Sequence, residues 1–189
     1  MEISHMLNTL RLLPAALFFV PLSLFATSTA DNALLGHQMK RLHSSEVVSL
    51  QERYAGKPLL FINTASHCGY TPQFEGLEAL HKKYGEQGLM VAGFPSNSFR
   101  QEAKDEEKTA DVCYRNYGVT FDMYAPIPVK GADAHPLFQE LARQSQAPRW
   151  NFFKYLVDRN GKVVASFANT TRPDSVQFIE AVEKLLNER

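Results

Sequence analysis

Phe61-Ile62-Asn63-Thr64-Ala65-Ser66-His67-Cys68-Gly69-Tyr70-Thr71-Pro72-Gln73 is the stretch from which the rest of the chain is read. The apolar run from Pro58 to Ile62 has the length and composition of a buried parallel strand. Thr71 followed by Pro72 reads as an N-cap and a first helical residue, where a missing N–H costs nothing. Phe74, Leu77, Leu80 and Tyr84 then recur at helical spacing, and Gly85 stands where a left-handed C-terminal cap is expected. Cys68 therefore falls in a strand-to-helix turn, just before a helix N-terminus whose unpaired amides favour negative charge on sulfur. Position alone leaves two readings open: a reactive thiolate, or a small buried apolar residue.

Working outward toward the C-terminus, Leu89 to Pro95 is a second apolar strand, joined to the first by a right-handed parallel crossover. Asp105, Glu106 and Glu107 open a helix in the acidic manner a helix dipole favours, and Gly118 closes it. Within it Ala110, Cys113 and Tyr117 share a face, which on periodicity alone makes Cys113 a packing residue. Val119 to Val129, carrying Pro126 and Pro128, suits an edge strand or extended connector. His135 to Arg143 is helical. Phe152 to Val157 and Lys162 to Phe167 flank an Asn160-Gly161 hairpin turn. Pro173 starts a last helix with Val176, Ile179, Val182 and Leu186 on its apolar side.

Toward the N-terminus, Gln38 to His43 and Glu46 to Leu50 pair as a small hairpin across Ser44-Ser45, with one helical turn from Gln51 to Ala55. Residues 1–30 read as a signal peptide: Arg11, an apolar stretch from Leu12 to Phe25 broken by Pro14 and Pro21, and small residues Ser28 and Ala30 before Asp31. An uncleaved anchor is the alternative, and Met6 is a second candidate start. The mature domain, residues 31–189, is then exported across the inner membrane to an oxidising, periplasmic compartment.

Composition narrows the function classes. The chain has 189 residues, 44% hydrophobic and 21% charged, enough for one globular domain with a real core. A formal net charge of +0 gives no electrostatic basis for nucleic acid or stable membrane association. Two cysteines allow one reversible pair and exclude a disulfide framework or a four-thiolate metal site. His37, His43, His67, His81 and His135 have no metal-ligand spacing.

The run Ala65-Ser66-His67-Cys68-Gly69-Tyr70-Thr71 resembles the peroxidatic-cysteine segment of the glutathione peroxidase family, and the resemblance extends from about Lys57 to Leu186. It implies an α/β, thioredoxin-like fold: a central mixed sheet flanked by helices, with the N-terminal β-hairpin added, in the order β-α-β-α-β-α-β-β-α. It implies a thiol peroxidase acting on hydrogen peroxide and organic hydroperoxides, with no metal or organic cofactor. Gly93-Phe94-Pro95, Asn97 and Phe99, followed by Gln101-Glu102, look like the family loop that supplies a glutamine, and Trp150-Asn151-Phe152 looks like its W-N-F segment. The catalytic set so carried over is Cys68, Gln101, Trp150 and Asn151. Amide and indole N–H groups are donors of the type a leaving alkoxide needs.

This chain departs from the family pattern in three places. Phe99-Arg100-Gln101-Glu102 is one residue shorter than the common F-G-G-Q-E, Ser96 replaces a frequent cysteine, and His67 a frequent lysine. Val112-Cys113-Tyr114 falls where two-cysteine members carry a resolving cysteine, and only Gln144 to Arg149 separates helix from tryptophan, without the insertion of tetrameric members. The resemblance thus implies a monomer cycling through a Cys68–Cys113 disulfide, reduced by a thioredoxin-type dithiol protein or by glutathione, with the dithiol favoured. Two alternatives stand beside it. A thiol-disulfide oxidoreductase of the same fold needs a second cysteine three residues on, where this chain has Thr71. A periplasmic peroxide sensor or redox relay would differ only in turnover.

Overall fold

The computed structural model describes residues 33–188, together with Met1. The expected signal segment lies outside these residues, apart from Met1. A hairpin of β1 (Gln38–Lys40) and β2 (Val47–Ser49) leads into a short helix, α1 (Leu50–Tyr54), capped by the Ser49 hydroxyl, which accepts from the Glu52 N–H. The main sheet is built from β3 (Leu59–Thr64), β4 (Met90–Pro95), β5 (Asp122–Met123), β6 (Lys154–Val157) and β7 (Val163–Phe167), in spatial order β5-β4-β3-β6-β7. β3 pairs in parallel with β4 and antiparallel with β6, β5 runs parallel to β4, and β6 and β7 are antiparallel. The sheet is mixed, as expected.

Every residue of β3 is buried, which is why its sequence reads as a continuous apolar run rather than an alternating one. Leu60 and Ile62 point into a core built with α2 (Gln73–Tyr84) and α5 (Val176–Asn187). Leu59 and Phe61 point into a second core with α1, the N-terminal hairpin and α4 (Pro136–Gln144). Three layers result. Between β4 and β5, α3 (Glu106–Ala110) opens with the Asp105 carboxylate accepting from the Lys108 N–H, then widens into a π-helical turn over Asp111–Asn116 that ends before Gly118.

Three local expectations are corrected. The Thr71 side chain does not cap α2; its hydroxyl accepts from the Cys68 N–H and donates to the Ala65 carbonyl, so it closes the turn behind it. Gly85 stays right-handed because a 3-10 turn, Gly85–Gln87, extends the helix, and Gly88 at φ 98° is the left-handed cap. In α5, Pro173 precedes the helix rather than starting it. The buried residues there are Phe178, Val182 and Leu185, while Val176 is 73% exposed. Phe178, not Val176, sets the phase of that face, through edge packing on Phe167.

Candidate active site

Cys68 sits where β3 has run out of its sheet and α2 has not yet begun. The turn is fixed by backbone bonds from Thr71 N–H to Cys68 O and from His67 N–H to Gln101 O, besides the Thr71 hydroxyl. The Tyr70 N–H points at the Cys68 sulfur from 3.5 Å. Cys68 is buried at 6% exposure, while His67 and Gly69 on either side of it are exposed. The thiol is therefore not itself a surface group, although it lies between two exposed residues.

Two loops converge on the turn. The first carries Gln101, whose backbone carbonyl receives His67 N–H. The second carries Asn151, completely buried, whose Nδ2 donates to Gln101 Oε1 at 2.9 Å. Residues 50 positions apart thus form one amide pair. That bond uses the acceptor of half-buried Gln101 and leaves its Nε2 as the remaining donor, while Asn151 Oδ1 is buried without a partner. Trp150 is not a core aromatic: the residue is 38% exposed and its ring packs on Phe99 at 5.2 Å between centroids, while its carbonyl accepts from Asn63 Nδ2. Gln101 and Asn151 are brought together in direct contact; Trp150 is joined to them through the backbone of its own turn.

Both amides are flanked by left-handed backbone. Arg100 at φ 60° precedes Gln101 and Phe152 at φ 61° follows Asn151. For side chains with a Cβ this costs roughly 1–3 kcal/mol each and persists only when the surroundings over-determine it. At Phe152 they do: its N–H donates to Asn63 O at 2.6 Å, Phe153 N–H to Asn63 Oδ1 at 3.1 Å, and its carbonyl accepts from Lys154 Nζ at 2.8 Å. Neither Asn63 nor Lys154 was among the residues singled out from the sequence. Each is a polar residue inside an otherwise apolar strand run, which is the signal that could have found them.

Cys113 is a free thiol in the π-helical turn, 1% exposed, in the same apolar core as Cys68. Burial, with the nearby Glu102 charge adding to it, pushes its pKa up to about 12. The turn is anchored at both ends. Glu102 Oε1 accepts from Ser66 Oγ, from Thr109 Oγ1 at 3.0 Å and from Ala103 N–H, tying α3 to the turn that bears Cys68. Glu78 on α2 receives the Thr120 N–H and hydroxyl just after it. Beside the Cys68 turn, a cleft of about 810 Å³ is lined by Gly69, Tyr70, Gln73, Gly76, Arg172 and Pro173, among others.

The family model for glutathione peroxidase matches residues 36–142. Glutathione peroxidase from Lactococcus lactis is 44% identical over 149 residues, covering 76% of this chain and 93% of that protein. The Synechocystis protein named hydroperoxy fatty acid reductase is 40% identical over 172 residues, covering 85% and 99%. Among solved structures, the crystal structure of T. cruzi GPX1 aligns with a TM-score of 0.62 at 29% identity, over 81% of this chain and 95% of that one. The fold is thioredoxin-like. The secreted disulfide oxidoreductase of Mycobacterium tuberculosis, at a TM-score of 0.58 and 16% identity, covering 82% of this chain and 100% of its own, shares that fold alone.

Proposed function

We propose that this chain, which belongs to the glutathione peroxidase family and is a peroxide-reducing thiol peroxidase, reduces hydrogen peroxide and organic hydroperoxides at Cys68 and recycles through a Cys68–Cys113 disulfide. Membership in the family implies a peroxide as the oxidising substrate and a thiol as the reductant. The observation that carries the assignment to Cys68 is the Gln101–Asn151 amide pair held against the turn that bears it. With Asn151 occupying the Gln101 oxygen, Gln101 Nε2 is the donor free to meet a departing oxygen.

In the first step the Cys68 thiolate attacks one peroxide oxygen. The S–O bond forms, the O–O bond breaks, and the leaving alkoxide or hydroxide takes up a proton beside Gln101, Trp150 and Asn151 to depart as alcohol or water. In the second, Cys113 as thiolate attacks the sulfur of the Cys68 sulfenic acid, the S–S bond forms as the S–O bond breaks, and the departing hydroxide takes up the proton that Cys113 released, leaving as water. An external dithiol then returns both cysteines to thiols. A Cys113 thiol that is buried and raised to about 12 is a poor nucleophile where it lies. The second step therefore requires the Asp111–Asn116 turn to open between its Glu102 and Glu78 anchors, and π-helical geometry is a frequent mark of such functional segments.

A second cysteine and a cleft beside the turn favour a thioredoxin-type protein over glutathione as reductant. The name of the Synechocystis relative supports organic hydroperoxides among the substrates. The protein is further proposed to act as a monomer in the periplasm after removal of residues 1–30; intact mass of the native protein, expected to begin at Asp31, tests that. Peroxide consumption with thioredoxin and its reductase, compared with glutathione at equal thiol, tests the cycle. Faster turnover with thioredoxin is expected, and loss of both activities in Cys68→Ser. A faster glutathione reaction would overturn the dithiol assignment.

A further inference from the structure

Among the described residues Lys154 is the one basic or acidic side chain that is completely buried, and the cycle above does not use it. In β6 it stands opposite Ile62 of β3 and Phe167 of β7, both in the core that contains Cys68. No carboxylate faces it: its hydrogen bond is from Nζ to the Phe152 carbonyl, at 2.8 Å. Burial alone pushes the amine down to about 7. An amine placed so is expensive unless something depends on it, and an apolar residue of similar volume would ordinarily serve the core as well or better.

What depends on it is the turn before β6. Phe152 is left-handed, its ring is locked edge-on against Phe74 at 5.2 Å, and its peptide is held from one side by Asn63 and from the other by Lys154. The residue carried immediately before this strained peptide is Asn151, and Asn151 orients Gln101. We propose that Lys154 is a positioning residue for peroxide reduction: by clamping the Phe152 carbonyl it fixes the direction of Asn151, and through Asn151 the donor of Gln101. The proposal rests on the catalytic reading of Asn151 and Gln101 given above.

The chain of contacts predicts where the effect falls. Misplacing an amide by a fraction of an ångström to about 1 Å slows the step it serves by roughly ten- to a hundredfold without abolishing it. Lys154 touches neither cysteine turn by any hydrogen bond, so disulfide formation after the sulfenic acid should keep its rate.

The test is a double-mutant cycle on the protein as isolated from its source compartment, with hydrogen peroxide, following Cys68 oxidation by stopped-flow fluorescence of Trp150, the only tryptophan of the chain. Lys154→Met is expected to slow Cys68 oxidation by roughly tenfold or more, to leave the later disulfide step unchanged, and to add nothing to the loss in Asn151→Ala when the two are combined. Lys154→Leu is made alongside it, so that a folding failure of one apolar variant does not decide the outcome. If the folded Lys154 variant oxidises at the wild-type rate, or its loss multiplies with that of Asn151→Ala, the positioning role is overturned while the catalytic reading stands. If Asn151→Ala itself oxidises at the wild-type rate, both fall.

Discussion

The turn around Cys68, which follows β3, and the cluster around Asp122 on β5, with β4 between the two strands, are built on opposite rules. Asp122 on β5 is 8% exposed and fully satisfied: Oδ1 accepts from Arg41 and Arg53, Oδ2 from Arg53 and the Tyr54 hydroxyl, which in turn meets Tyr124 at 2.6 Å. Burial works against its charge, but bonds from Arg53, Arg41 and Tyr54 outweigh that and hold its pKa below the usual carboxylate value. The cluster fastens the N-terminal hairpin and α1 to the sheet edge. Around Cys68, by contrast, Thr64 Oγ1, Glu102 Oε2 and Asn151 Oδ1 are buried without partners, and Arg100 and Phe152 hold left-handed backbone. One region commits its polar groups to stability; the other leaves buried oxygens unpaired and backbone strained, the condition expected where groups are preorganised for a reaction.

The contrast breaks most visibly at the amides. Gln101→Ala and Asn151→Ala should each slow Cys68 oxidation by about ten- to a thousandfold, with denaturation midpoints close to wild type; stopped-flow oxidation and urea unfolding on the same samples check both halves. Unchanged oxidation in both variants would end the distinction. Asp122→Ala should do the reverse. Leaving Arg41 and Arg53 without their shared partner costs about 3 kcal/mol, toward the low end for a broken buried pair because both arginines are partly solvated, and the folded variant should oxidise Cys68 at the wild-type rate.

Acid sharpens the same comparison with a smaller effect. The folded-state pKa of Asp122 lies below its ordinary 3.8, so its stabilisation is complete above that value and is lost as pH falls through the depressed one. Urea midpoints measured from pH 6 down to pH 3 should therefore fall steeply at the acid end in the wild type and less steeply in Asp122→Asn.

Much of this was legible in the sequence because burial writes itself into composition. β3 and β4 are apolar runs because both faces are covered, and the Asn160-Gly161 turn names its hairpin. The helix ends were misread where a side chain had a better local use: Thr71 turned back to close the Cys68 turn, and a 3-10 turn moved the left-handed cap from Gly85 to Gly88. The apolar face of α5 was misread because Val176 and Phe178 offer two competing phases, and only packing on Phe167 chooses. Cys68 could be suspected from its own surroundings, whereas Gln101 and Asn151 came from family resemblance, since a contact across 50 residues leaves no local pattern. Lys154 left a trace that went unread: a charge within a six-residue apolar run.

In the proposed cycle Cys68 is oxidised first and Cys113 resolves it. Peptide mapping by mass spectrometry after one equivalent of hydrogen peroxide tests this most directly, run on the wild type and on Cys113→Ser. A Cys68–Cys113 disulfide is expected in the wild type, and in Cys113→Ser a Cys68 sulfenic acid trappable by a dimedone-type reagent. Oxidation at Cys68 in the wild type that stops at the sulfenic acid or proceeds to sulfinic acid, with the Cys113 thiol intact, would contradict it.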